Sequence, residues 1–281
     1  MGVVTPAPLA LRTALRSVAG PHRATNQDSA GACADYAFVA DGVGGHAGGD
    51  VASRAVALVV TERLADLDVR ALAEEELRDV VGVANDAIAR HGRNPELAGL
   101  ATTFTGLFCT GDAVRVAHIG DSRGYLVRDG AGSRVTHDDS YVQLLVDTGA
   151  IDPDEAWLHP ARNLLLQSLG GTADDAAHVS VLRRDAQVGD RWLLCSDGLT
   201  DYVAEADVLE VLSGAPDVES AAERLVAAAL EADARDNVTV AVCDVVAGDE
   251  GDDAPRLVGA AGYGAAGQPT NTQNGCPSGS A

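Results

Sequence analysis

Apolar residues recur along this chain at two periods, and the exchange between them outlines its architecture. Over 49–67 the apolar positions Val51, Ala55 and Val59 fall one helical turn apart. Over 71–90, Leu72, Leu77, Val80, Val81, Ala84 and Ile88 share one side of a second predicted helix. Short, nearly unbroken apolar runs predict strands at 36–40, 103–109, 114–119, 124–128, 191–195 and 238–246. The runs 103–109 and 114–119 join through Thr110-Gly111-Asp112-Ala113, a hairpin-type turn. Further helices are predicted at 140–148, 204–212 and 218–232. Strands in hairpins with helix pairs before and after predict antiparallel sheets covered by helices, a layered sandwich and not a doubly wound parallel sheet. The pattern runs without a linker from about 10 to 247. Beyond Ala247 the chain turns acidic, then rich in Gly, Ala, Gln, Asn, Thr and Ser, and 248–281 is expected to be a disordered tail.

Charge narrows the functional classes. Formal net charge is −22 from 20 basic and 42 acidic residues, and every basic residue is Arg. Nucleic-acid binding needs positive charge over phosphates, so it is not expected. Five cysteines are scattered without a CxxC, and Cys109, Cys195 and Cys243 lie inside apolar runs where Cys packs as a small hydrophobe. A reducing compartment fits that usage. No stretch reaches the roughly 18–20 apolar residues of a membrane span, and residues 1–10 lack a basic leader region. The chain is expected to be cytoplasmic.

The candidate chemistry is carried by aspartates at the ends of apolar runs. Asp41 follows Phe38-Val39-Ala40, Asp121 follows His118-Ile119-Gly120, and Asp197 follows Leu194-Cys195-Ser196, whereas Asp236 precedes the run 238–246. A carboxylate at the tip of a buried strand is costly unless its charge is compensated. Four converging tips would cage hard divalent cations. After Asp41 come five glycines in eight residues, which let backbone carbonyls approach an ion. Oxygen-only ligation favours Mg²⁺ or Mn²⁺ over Zn²⁺. The same glycines could instead form a plain turn or a phosphate cradle, but a P-loop ending is absent. Upstream, Arg23 offers a planar fork suited to a phosphate dianion.

Six segments together resemble the metal-dependent type 2C (PPM) serine/threonine protein phosphatases, most closely the compact bacterial type. They are Arg23-x-x-Asn26-Gln27-Asp28, Ala40-Asp41-Gly42-Val43-Gly44-Gly45-His46, Ala101-Thr102-Thr103, Gly120-Asp121-Ser122-Arg123, Ser196-Asp197-Gly198-Leu199-Thr200-Asp201, and Asp236-Asn237-Val238-Thr239. The expected fold is α/β (α+β), a four-layer α-β-β-α sandwich with two central, mainly antiparallel sheets flanked by helix pairs. The catalytic domain is expected over 1–247, with a flap at about 138–171. The resemblance implies a binuclear Mn²⁺ or Mg²⁺ centre: Asp41 shared between ions, the Gly42 carbonyl on one, Asp197 and Asp236 on the other, and Asp121 with Asp197 at a third. It implies in-line attack of a water bridging two ions on phosphoserine or phosphothreonine, without a phosphoenzyme. Arg23 would grip the phosphate, and Asp28 would orient water or Arg23. Expected partners are phosphoproteins and a serine/threonine kinase, with no membrane span and a monomeric state.

Three positions depart from the family pattern. Gln27 stands where many relatives have Glu, and Val43 where many eukaryotic relatives have a His proposed as general acid. His46 is then the nearest candidate acid, or a residue that only hydrogen-bonds the loop. Thr136-His137-Asp138-Asp139-Ser140 carries Asp139 where relatives often have histidine. Within the flap, Gly149 and Pro153 predict a helix–turn–helix path, and Trp157 could be an exposed substrate contact, although an aromatic there is more often expected to pack in the core.

Overall fold

The structure, a computed structural model, describes residues 8–43, 48–111, 113–248 and 254–262. Its strands are β1 (Leu9–Val18), β2 (Ser29–Ala32), β3 (Tyr36–Ala40), β4 (Gly42–Val43), β5 (Ala101–Thr102), β6 (Phe104–Thr110) and β7 (Ala113–Ile119). They continue with β8 (Arg123–Arg128), β9 (Ala131–Arg134), β10 (Ser180–Asp185), β11 (Arg191–Cys195), β12 (Val238–Ala247) and β13 (Arg256–Gly259). The helices are α1 (Gly49–Ala65), α2 (Glu74–His91), α3 (Tyr141–Asp147), α4 (Pro153–Ala156), α5 (Asp197–Thr200), α6 (Glu205–Gly214) and α7 (Val218–Glu231).

Two antiparallel sheets form the centre. One has the order β1-β12-β11-β8-β9 and the other β10-β7-β6-β3-β2-β13. Alternation along each strand explains the layering. Tyr36 and Phe38 of β3 face α1 and α2, whereas Ala37 and Val39 face the opposite sheet. Leu193 and Cys195 of β11 face α6 and α7, whereas Trp192 and Leu194 face inward. Both faces of the central strands are therefore buried, which is why they read as unbroken apolar runs. Three cores result, one between the sheets and one under each helix pair. The expected α-β-β-α sandwich is what forms.

Predicted elements agree with the observed ones to within one to three residues at their ends. The second helix begins at Glu74, where Glu76 Oε2 accepts the Ala73 N–H at 2.7 Å and three glutamates fill the first turn. One expectation is corrected. The segment after Ala247 is not featureless, because β13 pairs antiparallel with β2 from Arg256↔Ala32 to Gly259↔Ser29. Leu257 and Val258 supply apolar contacts that the surrounding composition disguises.

Candidate metal and phosphate site

Five carboxylates gather at one end of the sandwich because each sits where a strand meets a loop. Asp28 precedes β2, Asp41 follows β3 and Asp121 follows β7, all in the six-stranded sheet. Asp197 follows β11 and Asp236 precedes β12, in the five-stranded sheet. Threonines hold the Asp41 turn. Thr103 Oγ1 accepts the Asp41 N–H at 3.0 Å, and the Asp41 carbonyl accepts from Thr103 N at 2.9 Å and Thr102 Oγ1 at 2.8 Å. Gly42 is squeezed between the start of α1 and the loop before β2: a Cβ there would lie 2.3 Å from the Gly49 carbonyl oxygen and 2.4 Å from that of Gln27. Gly198 is equally tight, since a Cβ would meet the Asn237 carbonyl oxygen at 1.9 Å. The start of β12 thus lies directly on the turn that carries Asp197.

Asp28 is 1% exposed, and its Oδ2 accepts Ser196 Oγ at 2.8 Å. Ser196 Oγ in turn accepts the Thr239 N–H at 3.0 Å. Asn237 Oδ1 accepts the Gln27 N–H at 2.9 Å. Arg23 lies at the rim, with Nη2 2.5 Å from Asp236 Oδ2 and Nε donating to the Arg235 carbonyl at 3.0 Å.

Crowding of like charge shows in the protonation behaviour. Burial, with the Asp236 charge, pushes Asp28 up to about 6 despite hydrogen bonds from Thr239 and Ser196. Burial, together with Asp138 and Asp201, pushes Asp121 up to about 7 against the pull of Arg123. Asp41 and Asp197 rise well above the ordinary carboxylate range, first through burial and then through the surrounding aspartates. Such a cluster calls for positive charge. Its donors are all hard oxygens, which suits Mg²⁺ or Mn²⁺. Among the described residues no three His, Cys, Asp or Glu side chains stand at ligating distance of a common point. The chemistry of the donor set fits a divalent ion, while Asp236 is engaged by Arg23.

A family model, protein phosphatase 2C, matches residues 22–236, which contain all five carboxylates and Arg23. The chain belongs to the protein phosphatase 2C family. It is 44% identical over 253 residues to serine/threonine protein phosphatase PstP of Mycobacterium tuberculosis, a match covering 90% of this chain and 48% of that protein. It is 33% identical over 207 residues to serine/threonine phosphatase stp of Listeria monocytogenes, covering 72% of this chain and 81% of that one. The crystal structure of the PstP catalytic domain in complex with two manganese ions aligns with a TM-score of 0.75 and 42% identity, over 85% of this chain and 99% of that one. The chain thus spans about half the length of the mycobacterial relative it matches.

Within this family frame, the structure brings together Arg23, Asp28, Asp41, Gly42, Asp121, Asp197 and Asp236. His46 lies outside the described residues. Sequence reasoning missed Asp201 as a member of the cluster. It ends the single turn of α5, donating its N–H to the Asp197 carbonyl at 2.8 Å, and burial raises its pKa. Its place four residues after Asp197, inside a segment already singled out, was the available signal. Asp139 also has work to do. Its Oδ2 accepts the Gly120 N–H at 2.9 Å, its N–H donates to the Gly120 carbonyl at 2.7 Å, and its carbonyl accepts from Leu166 N at 2.8 Å. One residue therefore ties the Asp121 turn to the stretch around Leu166.

The segment 138–171 follows the expected helix–turn–helix path through α3 and α4. Trp157 does not pack in the core as expected. It is 48% exposed, and its Nε1 donates to the Asp201 carbonyl at 2.9 Å, so the indole is tied to the end of α5, on the Asp121 and Asp197 side of the cluster. Beneath it is a cleft of about 650 Å³ lined by Asp121, Arg123, Trp157, Arg162, Asp197 and Asp201. Arg162 Nη2 stands 3.4 Å from Asp201 Oδ2. The four described cysteines, Cys33, Cys109, Cys195 and Cys243, are buried and unpaired. No helix among the described residues is long and apolar enough to cross a membrane.

Proposed function

We propose that the chain is a metal-dependent phosphatase that releases inorganic phosphate from phosphoserine and phosphothreonine in proteins. The observation that carries this reading is the convergence of five aspartates from two sheets on one rim, Asp28 buried and the other four half-buried, beside a guanidinium, in a member of this family. Asp41, the Gly42 carbonyl, Asp197 and Asp236 would hold two Mn²⁺ or Mg²⁺ ions, and Asp121 with Asp197 a third. When bound, such ions supply charge neutralisation and lower the pKa of the water that serves as nucleophile.

The chain's own residues supply binding and orientation. Arg23 grips the phosphate oxygens and stabilises charge that develops on them. Asp236 would hold an ion only at the expense of its present pair with Arg23, which would leave the guanidinium available to substrate. Asp28 holds Ser196, and through it the start of α5 that presents Asp197. In the reaction the water oxygen forms a bond to phosphorus as the bond from phosphorus to the serine or threonine oxygen breaks. That oxygen leaves with a proton as the free hydroxyl. The 22-charge acidic excess weighs against a polyanionic substrate such as nucleic acid.

The test is turnover of a phosphothreonine peptide with Mn²⁺. Asp41→Ala and Asp197→Ala are expected to abolish it. Near-normal activity in either variant would overturn the metal assignment, and a marked preference of the wild type for nucleotides over phosphopeptides would overturn the substrate class.

A further inference from the structure

The C-terminal strap comprises β13 and the 3₁₀ turn Ala260–Gly262. We infer that this strap is a positioning element for the metal site, acting through the backbone of Asp28; the inference rests on the metal reading above.

The strap is anchored on both sides of Asp28. Arg256 Nη2 donates to the Thr13 carbonyl of β1, which belongs to the other sheet. Leu257 packs into the core under α1 and α2, and Val258 into the core between the sheets. Ala261 is 4% exposed within the core that contains α1 residues. Between these anchors, Ala260 N donates to the Asp28 carbonyl at 2.7 Å. Ala261 N donates to Ser29 Oγ at 3.2 Å, and Ser29 Oγ lies 3.1 Å from Ser53 Oγ, which donates to the Gln27 carbonyl. Gly259 makes the approach feasible. Its φ is +72°, and a Cβ there would lie 2.2 Å from the Asp28 carbonyl oxygen. No other residue type fits without moving Asp28 or the strap.

The consequence for the site follows from what the Asp28 side chain touches. Its carboxylate crosses to the other sheet and accepts Ser196 Oγ, one residue before Asp197. The strap fixes the backbone at one end of this residue, and Ser196 is fixed to the other end. A displaced strap shifts Asp28 and loosens the turn that presents Asp197. Groups that hold metal-binding residues in place are typically worth roughly 10–100-fold in metal affinity.

Two variants of the full chain test this. Ala260→Pro deletes the N–H that reaches Asp28, and Gly259→Val forces the strap away from it. Leu257→Ala serves as the comparison, because it weakens strap packing without touching the Asp28 hydrogen bond. Mn²⁺ affinity is read by titration calorimetry, and the melting temperature is read on metal-free chain. Ala260→Pro and Gly259→Val are expected to bind Mn²⁺ at least about ten-fold more weakly than wild type. Leu257→Ala is expected to lower the melting temperature and keep wild-type affinity. Should a variant fail to fold, amide exchange on wild type decides: Mn²⁺ slows exchange at Ala260 and Ala261 if the strap and site are coupled, and unchanged exchange there overturns the coupling. Wild-type binding with unaltered affinity in both folded variants overturns the strap alone. A wild type that binds no Mn²⁺ overturns the metal reading and the strap's role together.

Discussion

Replacing Asp28 with Asn should stabilise the metal-free chain, and increasingly so as pH rises. Asp28 is buried, and its pKa is about 6 in the fold against 3.8 for an ordinary aspartate. A folded pKa above the unfolded value means that the folded chain binds the proton more tightly, so folding loses stability as pH climbs from one value to the other. At roughly 1.4 kcal/mol for each pH unit, the full cost above pH 6 is about 3 kcal/mol. Of this, about 1.4 kcal/mol falls between pH 5 and 8, a window that stays clear of the sequence pI of about 4.4. Asn is close in shape and its side-chain oxygen can accept from Ser196, so the substitution removes the charge and keeps the contact. The assay is urea denaturation in EDTA at pH 5, 6, 7 and 8. The wild type is expected to lose stability across the series. The variant should lose less, by on the order of 1–2 kcal/mol at pH 8 relative to pH 5. A wild type whose stability is flat or rising across that range, with no gain from Asp28→Asn, would show that the carboxylates are not crowded as described.

Two further changes probe the rim and the Asp41 turn. Arg23→Ala should lower kcat/KM on a phosphothreonine peptide by roughly 10²-fold, the scale of losing one donor to a developing oxyanion; a variant with wild-type kinetics would remove Arg23 from the phosphate-binding role. Thr103→Val should cost about 1–3 kcal/mol in urea denaturation, because it strips the acceptor from the half-buried Asp41 N–H and the partner from the buried Ser122 Oγ; unaltered stability would mean that the bonds to the Asp41 carbonyl suffice to hold the turn.

The interior of the sandwich was legible because strands buried on both faces advertise themselves as apolar runs. Its borders were not. The strands at the four sheet edges, β1, β9, β10 and β13, had no clear signal. Edge strands need apolar residues on one face at most, and here they carry Arg12, Arg16, Arg183, Arg184 and Arg256. Three more strands went unread: β2 is Ser-Ala-Gly-Ala, small residues with little strand preference, and β4 and β5 are only two residues each. In the site, Asp41, Asp121 and Asp197 could be named because each follows an apolar run and Asp236 because it precedes one, and a charge at such a place demands an explanation; Asp28, which borders no such run, was reached only through the family resemblance. The pairing of Arg23 with Asp236 could not, since 213 residues separate them and only the antiparallel pairing of β1 with β12, in register at Val18↔Val238, brings the two ends together. Trp157 misled for a similar reason. Its size suggested interior packing, yet its partner is the Asp201 carbonyl at the mouth of a cleft.

The carboxylates straddle a seam, three on one sheet and two on the other, and the layer that separates the sheets sets the width of that seam. Trp192, the largest of the fully buried side chains, sits in this layer with Leu107, Val116 and Leu194. These residues act as a shim. The spacing of the two sheets, and with it the distance between the two groups of carboxylates, is gauged by aromatic and aliphatic volume in the layer between them.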